Sequence, residues 1–374
     1  MEMQIQLTEE MLLKKEQLIR MINFASQDIL TIESKGNFLQ ITLNNESNEF
    51  LITNKINRII NDFLANEPED IILYQQNGDT KYEYLLPDNN LVEYYGNGLI
   101  AFKKEAAQLL RYFDRTFSLF SKELQAEEPK YPTLLPIDIL KRTSYLNSSP
   151  QYQMFVCHPK EDMDELLKLN KIISEGKASQ SFNEPQLVLS PAACFHCYMD
   201  YENVELPHPV TITFNQNVFR NEGRNNWGGI GRLADYTVRE IVFFGSMEYV
   251  VACREQVIKK TKDFVEKLNL DAKLCVTCDP FVVPVMQRYK KIQIHEKYKY
   301  EMQLGISPDK YLATASFNLH GSVFSKEFNI RVRDVDETVS GCVGFGLERW
   351  VLAFLAQFGT NPNHWPKQVI EQLK

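Results

Sequence analysis

Two stretches of different periodicity frame the carboxy-terminal half of the chain. From Val210 to Phe219 apolar and polar side chains alternate, the period of a strand with one buried face, and residues 236–244 resume it across a loop rich in Gly and Asn. From Ser340 small and apolar residues alternate to Gly346, after which residues 350–358 are apolar all round and predict a buried helix. Helices are predicted over 134–142, 162–174 and 248–268 and around 285–299, with strands at 152–157, 187–191 and on towards 330. The amino-terminal third reads differently. It predicts a helix over 8–24 capped by Thr8, and a hairpin of 29–32 with 38–43 around Lys35-Gly-Asn37. A helix over 55–65, strands near 70–74 and 81–86, and a long helix over 103–124 complete it. The polar segment 126–133, punctuated by Pro129 and Pro132, predicts a boundary between a mixed α/β domain, residues 1–128, and a second domain, residues 129–374. The whole is expected to be α+β.

Length and composition narrow the class. A chain of 374 residues can enclose two cores. It has no run of 18 apolar residues, and its start lacks the basic and apolar regions of a signal peptide, so a cytoplasmic protein without membrane association is expected. Seven cysteines, an odd number without secretory features, suggest thiols or metal ligands rather than disulfides. The net charge of −8 is uneven: residues 1–130 carry 21 acidic against 13 basic side chains, leaving 28 against 28 in the remainder. A grip on nucleic acid calls for clustered Lys and Arg, which the acidic first third does not advertise.

The junction Gly344-Phe-Gly346-Leu-Glu348-Arg349 has the chemistry of a phosphate site. Glycines two apart leave one strand face bare, and a helix amino terminus with an arginine fork attracts anions, so a nucleoside triphosphate is the ligand suggested. Upstream lie Phe219-Arg220-Asn-Glu222, the loop arginine Arg232 and, four residues on, Tyr236. Together these resemble motifs 2 and 3 of the class II aminoacyl-tRNA synthetases. Further segments narrow the resemblance to the seryl-type branch, and within it to truncated amino acid:carrier protein ligases. They are Tyr145-Leu-Asn-Ser-Ser-Pro150, Ala193-Cys194-Phe-His-Cys-Tyr198, Asp279-Pro-Phe281, Lys299-Tyr-Glu301, Ser316-Phe-Asn318 and Cys342.

The resemblance implies an antiparallel class II sheet flanked by helices, a homodimer formed around Pro150, and ATP-dependent activation of an amino acid. Arg220 would bridge substrate carboxylate and α-phosphate, Arg232 would grip the triphosphate, Arg349 would hold the γ-phosphate or stack on adenine, Glu222 and Tyr236 would hold the adenine, and Glu301 a magnesium ion. Cys194, Glu240 and Cys342 match a zinc site with one position open for the substrate amine, beside Asn318. Cys194, Cys197, Cys275 and Cys278 are a rival four-cysteine site, although nearly 80 residues separate the two CxxC pairs. Tyr236 stands where the family usually has phenylalanine, residues 337–341 lack the usual His-Thr, and the motif 2 loop carries Trp227. With no heptad arm and an acidic first third, the expected acceptor is the phosphopantetheine thiol of a carrier protein loaded with glycine or alanine, and tRNA is not expected as a partner. The rivals are a seryl-type tRNA synthetase and a catalytically silent paralogue with a regulatory or binding role.

Overall fold

The computed structural model describes residues 1–78, 80, 82 and 90–373. Its centre is a seven-stranded sheet with every neighbouring pair antiparallel. Across the sheet the strands run Val210–Phe219, Asp235–Gly245, Val339–Gly346, Lys310–Gly321, Lys299–Ser307, Ala272–Val276 and Ile71–Gln76.

Successive residues of a strand face opposite ways, and the parity here is clean. Ile241, Phe243, Val343, Phe345, Ala315 and Phe317 enter one core, together with the helices Lys104–Lys122, Met247–Leu268 and Leu347–Phe358. Their neighbours Val242, Phe244 and Cys342 belong to a second cluster on the other face. The all-apolar stretch at 350–358 is the helix Leu347–Phe358, whose Trp350 packs against Phe117 with ring centroids 4.8 Å apart. Phe117 also stacks on Phe345 at 4.2 Å. The expected strand at 81–86 falls mostly on residues outside those described.

The expected domain boundary at 128 does not match where the cores lie. Only Leu7 to Phe63 enclose a separate amino-terminal core. Residues 71–76 form the edge strand of the central sheet, and Leu91, Val92, Leu109, Phe113 and Phe117 fill the core beneath it. The prolines at 129 and 132 lie in an irregular segment that joins parts of one packed unit, because sequence punctuation reports chain direction and not which core a helix enters. The amino-terminal helix is also two pieces, Glu9–Leu13 and Lys15–Ile22, with Thr8 Oγ1 accepting from Met11 N at 3.3 Å. Residues 134–136 are a strand, and the predicted helix begins only at Ile137.

Candidate active site

Strand pairing builds the site on the face opposite the helices. Glu240 lies opposite Gly344, and Asn318 opposite Cys342. A Cβ at Gly344 would fall 2.8 Å from Glu240 Oε2, so glycine is needed there for the carboxylate to fold over its neighbouring strand. Cys194 arrives from another direction, as the residue that opens the short helix Phe195–Asp200. All three side chains are buried, and the two sulfurs and a carboxylate oxygen lie within 4.8 Å of one another. Asn318 Nδ2 donates to Cys342 Sγ at 3.6 Å, and His320 Nε2 stands 3.6 Å from the same sulfur.

Three acidic groups pressed together out of water favour their protonated forms. Burial, then Cys342, pushes the Glu240 carboxyl well up. The hydrogen bond with Cys194, then burial, pushes the Cys342 thiol well up. For Cys194 the hydrogen bond to Cys342 acts downward, but burial and the Glu240 charge outweigh it, and the net shift is upward. A divalent cation would reverse all three, and two thiolates with one carboxylate are a donor set that suits zinc. The four-cysteine alternative is not assembled: Cys275 lies on a strand three places from that of Cys342, roughly 14 Å across the sheet.

A cavity of about 360 Å³ is lined by Cys194, Glu240, Asn318 and Cys342 and also by Arg220, Tyr236, Glu301 and Arg349. Arg220 Nε donates to Pro191 O at 3.2 Å, and its guanidinium lies 5.5 Å from the Tyr152 ring centre. Arg349 donates to Gly231 O and Ala313 O at 3.0 and 3.2 Å and stands 5.7 Å from the Tyr236 ring centre. Glu222 and Arg232 are not on the cavity wall. They pair with each other at 3.6 Å, the Glu222 carboxylate is buried, and its Oε2 has no hydrogen bond.

Glu301 is engaged by Lys299 at 3.2 Å, so a cation there would compete with an ammonium. Lys299 also donates to Asp279 at 2.6 Å, and Gln293 donates to the other Asp279 oxygen at 2.7 Å. Burial alone would raise Asp279, but the lysine outweighs it and holds the carboxyl below its usual range. Both residues line the cavity. Sequence reasoning had their segments in hand, Asp279-Pro-Phe281 and Lys299-Tyr-Glu301, without giving either residue a role. His320 is held neutral by burial, pushed down to about 4, and its Nδ1 meets Tyr198 Oη at 2.8 Å. His196 instead bonds Gln216 and the Leu134 carbonyl, which makes it structural.

Residues 178–358 match the family described as tRNA synthetase class II core domain (G, H, P, S and T). The chain is 30% identical over 311 residues to the Type-2 serine–tRNA ligase of Methanococcus maripaludis strain C7, covering 78% of this chain and 60% of that protein. The Type-2 serine–tRNA ligase of Methanocaldococcus jannaschii is 29% identical over 269 residues, covering 68% and 51%. The chain thus spans 51–60% of the length of the curated relatives it matches. Among solved structures it is similar to the protein chain of the complex of A. aeolicus tRNASec with M. kandleri SerRS, with TM-score 0.70, 21% identity and coverage of 93% and 73%. It is also similar to the cytoplasmic serine-tRNA ligase from Naegleria fowleri in complex with AMP, with TM-score 0.60, 9% identity and coverage of 82% and 65%. Those two likenesses establish the class II fold.

These matches overturn the expectation that tRNA is no partner and that a carrier protein loaded with glycine or alanine takes its place. The relatives are named as serine–tRNA ligases, and a similar solved structure is a tRNA complex. An acidic surplus averaged over 130 residues says nothing about one local basic face, and counterion release needs only such a face. Among the described residues no helix is long and apolar enough to cross a membrane.

Proposed function

We propose, from the match of residues 178–358 to the class II tRNA synthetase core domain, that the chain activates serine with ATP and transfers the seryl group to tRNA. In the first step a substrate carboxylate oxygen attacks the α-phosphorus; an O–P bond forms, the bond to the β-phosphate oxygen breaks, and pyrophosphate leaves. In the second a ribose hydroxyl of the tRNA attacks the carbonyl carbon and AMP leaves. Neither step needs a protein nucleophile, so the residues act by positioning and by neutralising charge.

Arg220 holds the substrate carboxylate against the α-phosphate, and Arg232 and Arg349 hold the outer phosphates, with magnesium accompanying the nucleotide. Glu222, whose Oε2 lacks a donor, accepts from the adenine amine, and Tyr236 lies along the base. A zinc ion on Cys194, Glu240 and Cys342 supplies a Lewis-acid contact for the substrate amine when bound. Asn318 orients Cys342. A homodimer belongs to this reading, supported by the exposed apolar side chains Phe155, Met163, Leu166 and Leu167 in the segment where motif 1 would lie.

The observation that carries the proposal is a single cavity lined both by the two-thiol, one-carboxylate cluster and by Arg220 and Arg349. The test is ATP–pyrophosphate exchange with serine, glycine and alanine, followed by incubation with either total tRNA or a phosphopantetheinylated carrier protein. Serine-dependent exchange and seryl-tRNA are expected. Exchange with none of the three would end the activation reading, and labelling of the carrier alone would end the tRNA reading.

A further inference from the structure

The amino-terminal unit reaches the site through the loop that follows Glu222. Asn23 Nδ2 donates to Asn226 Oδ1 at 2.7 Å, and Asn226 Nδ2 donates to the Arg20 carbonyl at 3.4 Å. Arg224 reaches the carbonyls of Gln27 and Ile29. Gly223, at φ +90°, is where Phe24 closes on the backbone; a Cβ there would lie 2.9 Å from the ring. Two parts of the chain 200 residues apart are therefore fixed to each other at the edge of the nucleotide site.

Arg20 sits in the last turn of the helix Lys15–Ile22, on this contact. Its Nε is buried with no hydrogen-bond partner, and no carboxylate among the described residues forms an ion pair with it. A guanidinium N–H shut away from water without an acceptor is a cost the fold leaves unrecovered. Charges of its own sign stand nearby: the Arg20 field acts against that of Arg232, as does that of Arg349, while Glu222 pairs with Arg232. Glu222 is taken up by Arg232, so among the described residues neither Arg20 nor Arg349 has a carboxylate ion-pair partner.

We infer that Arg20, delivered by the amino-terminal unit, is a further phosphate-binding residue that completes the site for the β- and γ-phosphates of ATP. This rests on the nucleotide reading of the site above. A guanidinium offers phosphate two donors in a planar fork, which Nε and one Nη supply together. The arrangement gives the separate amino-terminal core a part in the first half-reaction, with no tRNA present.

The experiment is equilibrium binding of ATP and of AMP to the whole chain, compared for wild type, Arg20→Ala and Arg20→Lys. AMP carries the base and the α-phosphate alone, so its affinity reports whether the loop is still in place. Arg20→Ala is expected to weaken ATP roughly tenfold or more with AMP within about twofold, and Arg20→Lys to keep part of the difference. An unchanged ATP affinity, or equal losses for ATP and AMP, would overturn the assignment, the second because it marks a docking role only. So would normal ATP affinity with weakened tRNA binding, which would move Arg20 to a phosphodiester. A wild type that binds neither nucleotide would overturn both this and the proposed function. Arg20-dependent ATP binding without pyrophosphate exchange would remove the activation reading alone.

Discussion

Two residues of the 339–349 segment show how little room the site leaves. Gly344 is the clearer, since its missing Cβ is the space the Glu240 carboxylate occupies. Gly344→Ala should displace Glu240, so its zinc content by elemental analysis is expected to fall to the level of Cys342→Ser, with the melting temperature lowered by only a few degrees; full zinc occupancy in the alanine variant would refute this. Glu348 presents a pH effect. Burial pushes its carboxyl up to about 7, although it accepts from Thr237 N at 2.8 Å. Between 4.5 and about 7 the folded protein binds a proton that the unfolded chain does not, so this group's stabilisation is present at low pH and lost as pH rises through that window. Glu348→Gln keeps an acceptor for Thr237 and removes the charge. It should melt above wild type at pH 8, by at most about 3 kcal/mol in stability, with the gap closing towards pH 5. Calorimetry at the two pH values checks this, and a gap that does not change with pH would refute it.

At the scale of elements, the sheet was legible because alternation sets which side chains share a face, and the strand at 210–219 has its predicted ends. The Cys194, Glu240 and Cys342 cluster was not legible from pattern alone. Nothing in the spacing of residues 194, 240 and 342 brings them together; only strand pairing and a short helix do, so the resemblance had to supply them. The glycine pair is expected to leave a bare face for a ligand, and both glycines do line the cavity, where Gly344 also leaves room for the Glu240 carboxylate. Arg239 escaped notice because its partners lie in the amino-terminal third. Turned to the helix-covered face, it pairs with Asp114 at 2.8 Å and Glu128 at 2.5 Å, fastening the helix Lys104–Lys122 to the sheet. Arg239 is almost fully buried and Glu128 is half exposed, so Asp114 carries most of the compensation. Asp114→Ala is expected to cost about 3 kcal/mol, since it strands a buried charge. Urea unfolding measures it, and a loss below about 1 kcal/mol would mean Glu128 suffices.

For the whole molecule, the question is which residues are needed to fold at all. Sequence punctuation puts the cut at 128, but the packing puts it near 66, because the edge strand Ile71–Gln76 and the helix Lys104–Lys122 belong to the central unit. A chain beginning at residue 129 would lose Leu109, Phe113 and Phe117 from the core around Phe345 and Trp350. Truncating one such aromatic costs about 3–5 kcal/mol, and a domain's total stability is about 5–15 kcal/mol, so losing the whole helix exceeds what the fold has to spare. A chain beginning at Glu67 keeps the strand, the helix and the buried pair of Glu67 with Lys290 at 2.5 Å. The prediction is a single cooperative melt for the longer chain and none for the shorter, followed by near-ultraviolet circular dichroism. The longer chain lacks Arg20 and the surface that holds Gly223 to Asn226, so it should fold yet bind ATP little better than AMP. A cooperative melt from the chain beginning at 129 would restore the boundary read from the prolines and show that the helix Lys104–Lys122 is dispensable to the core.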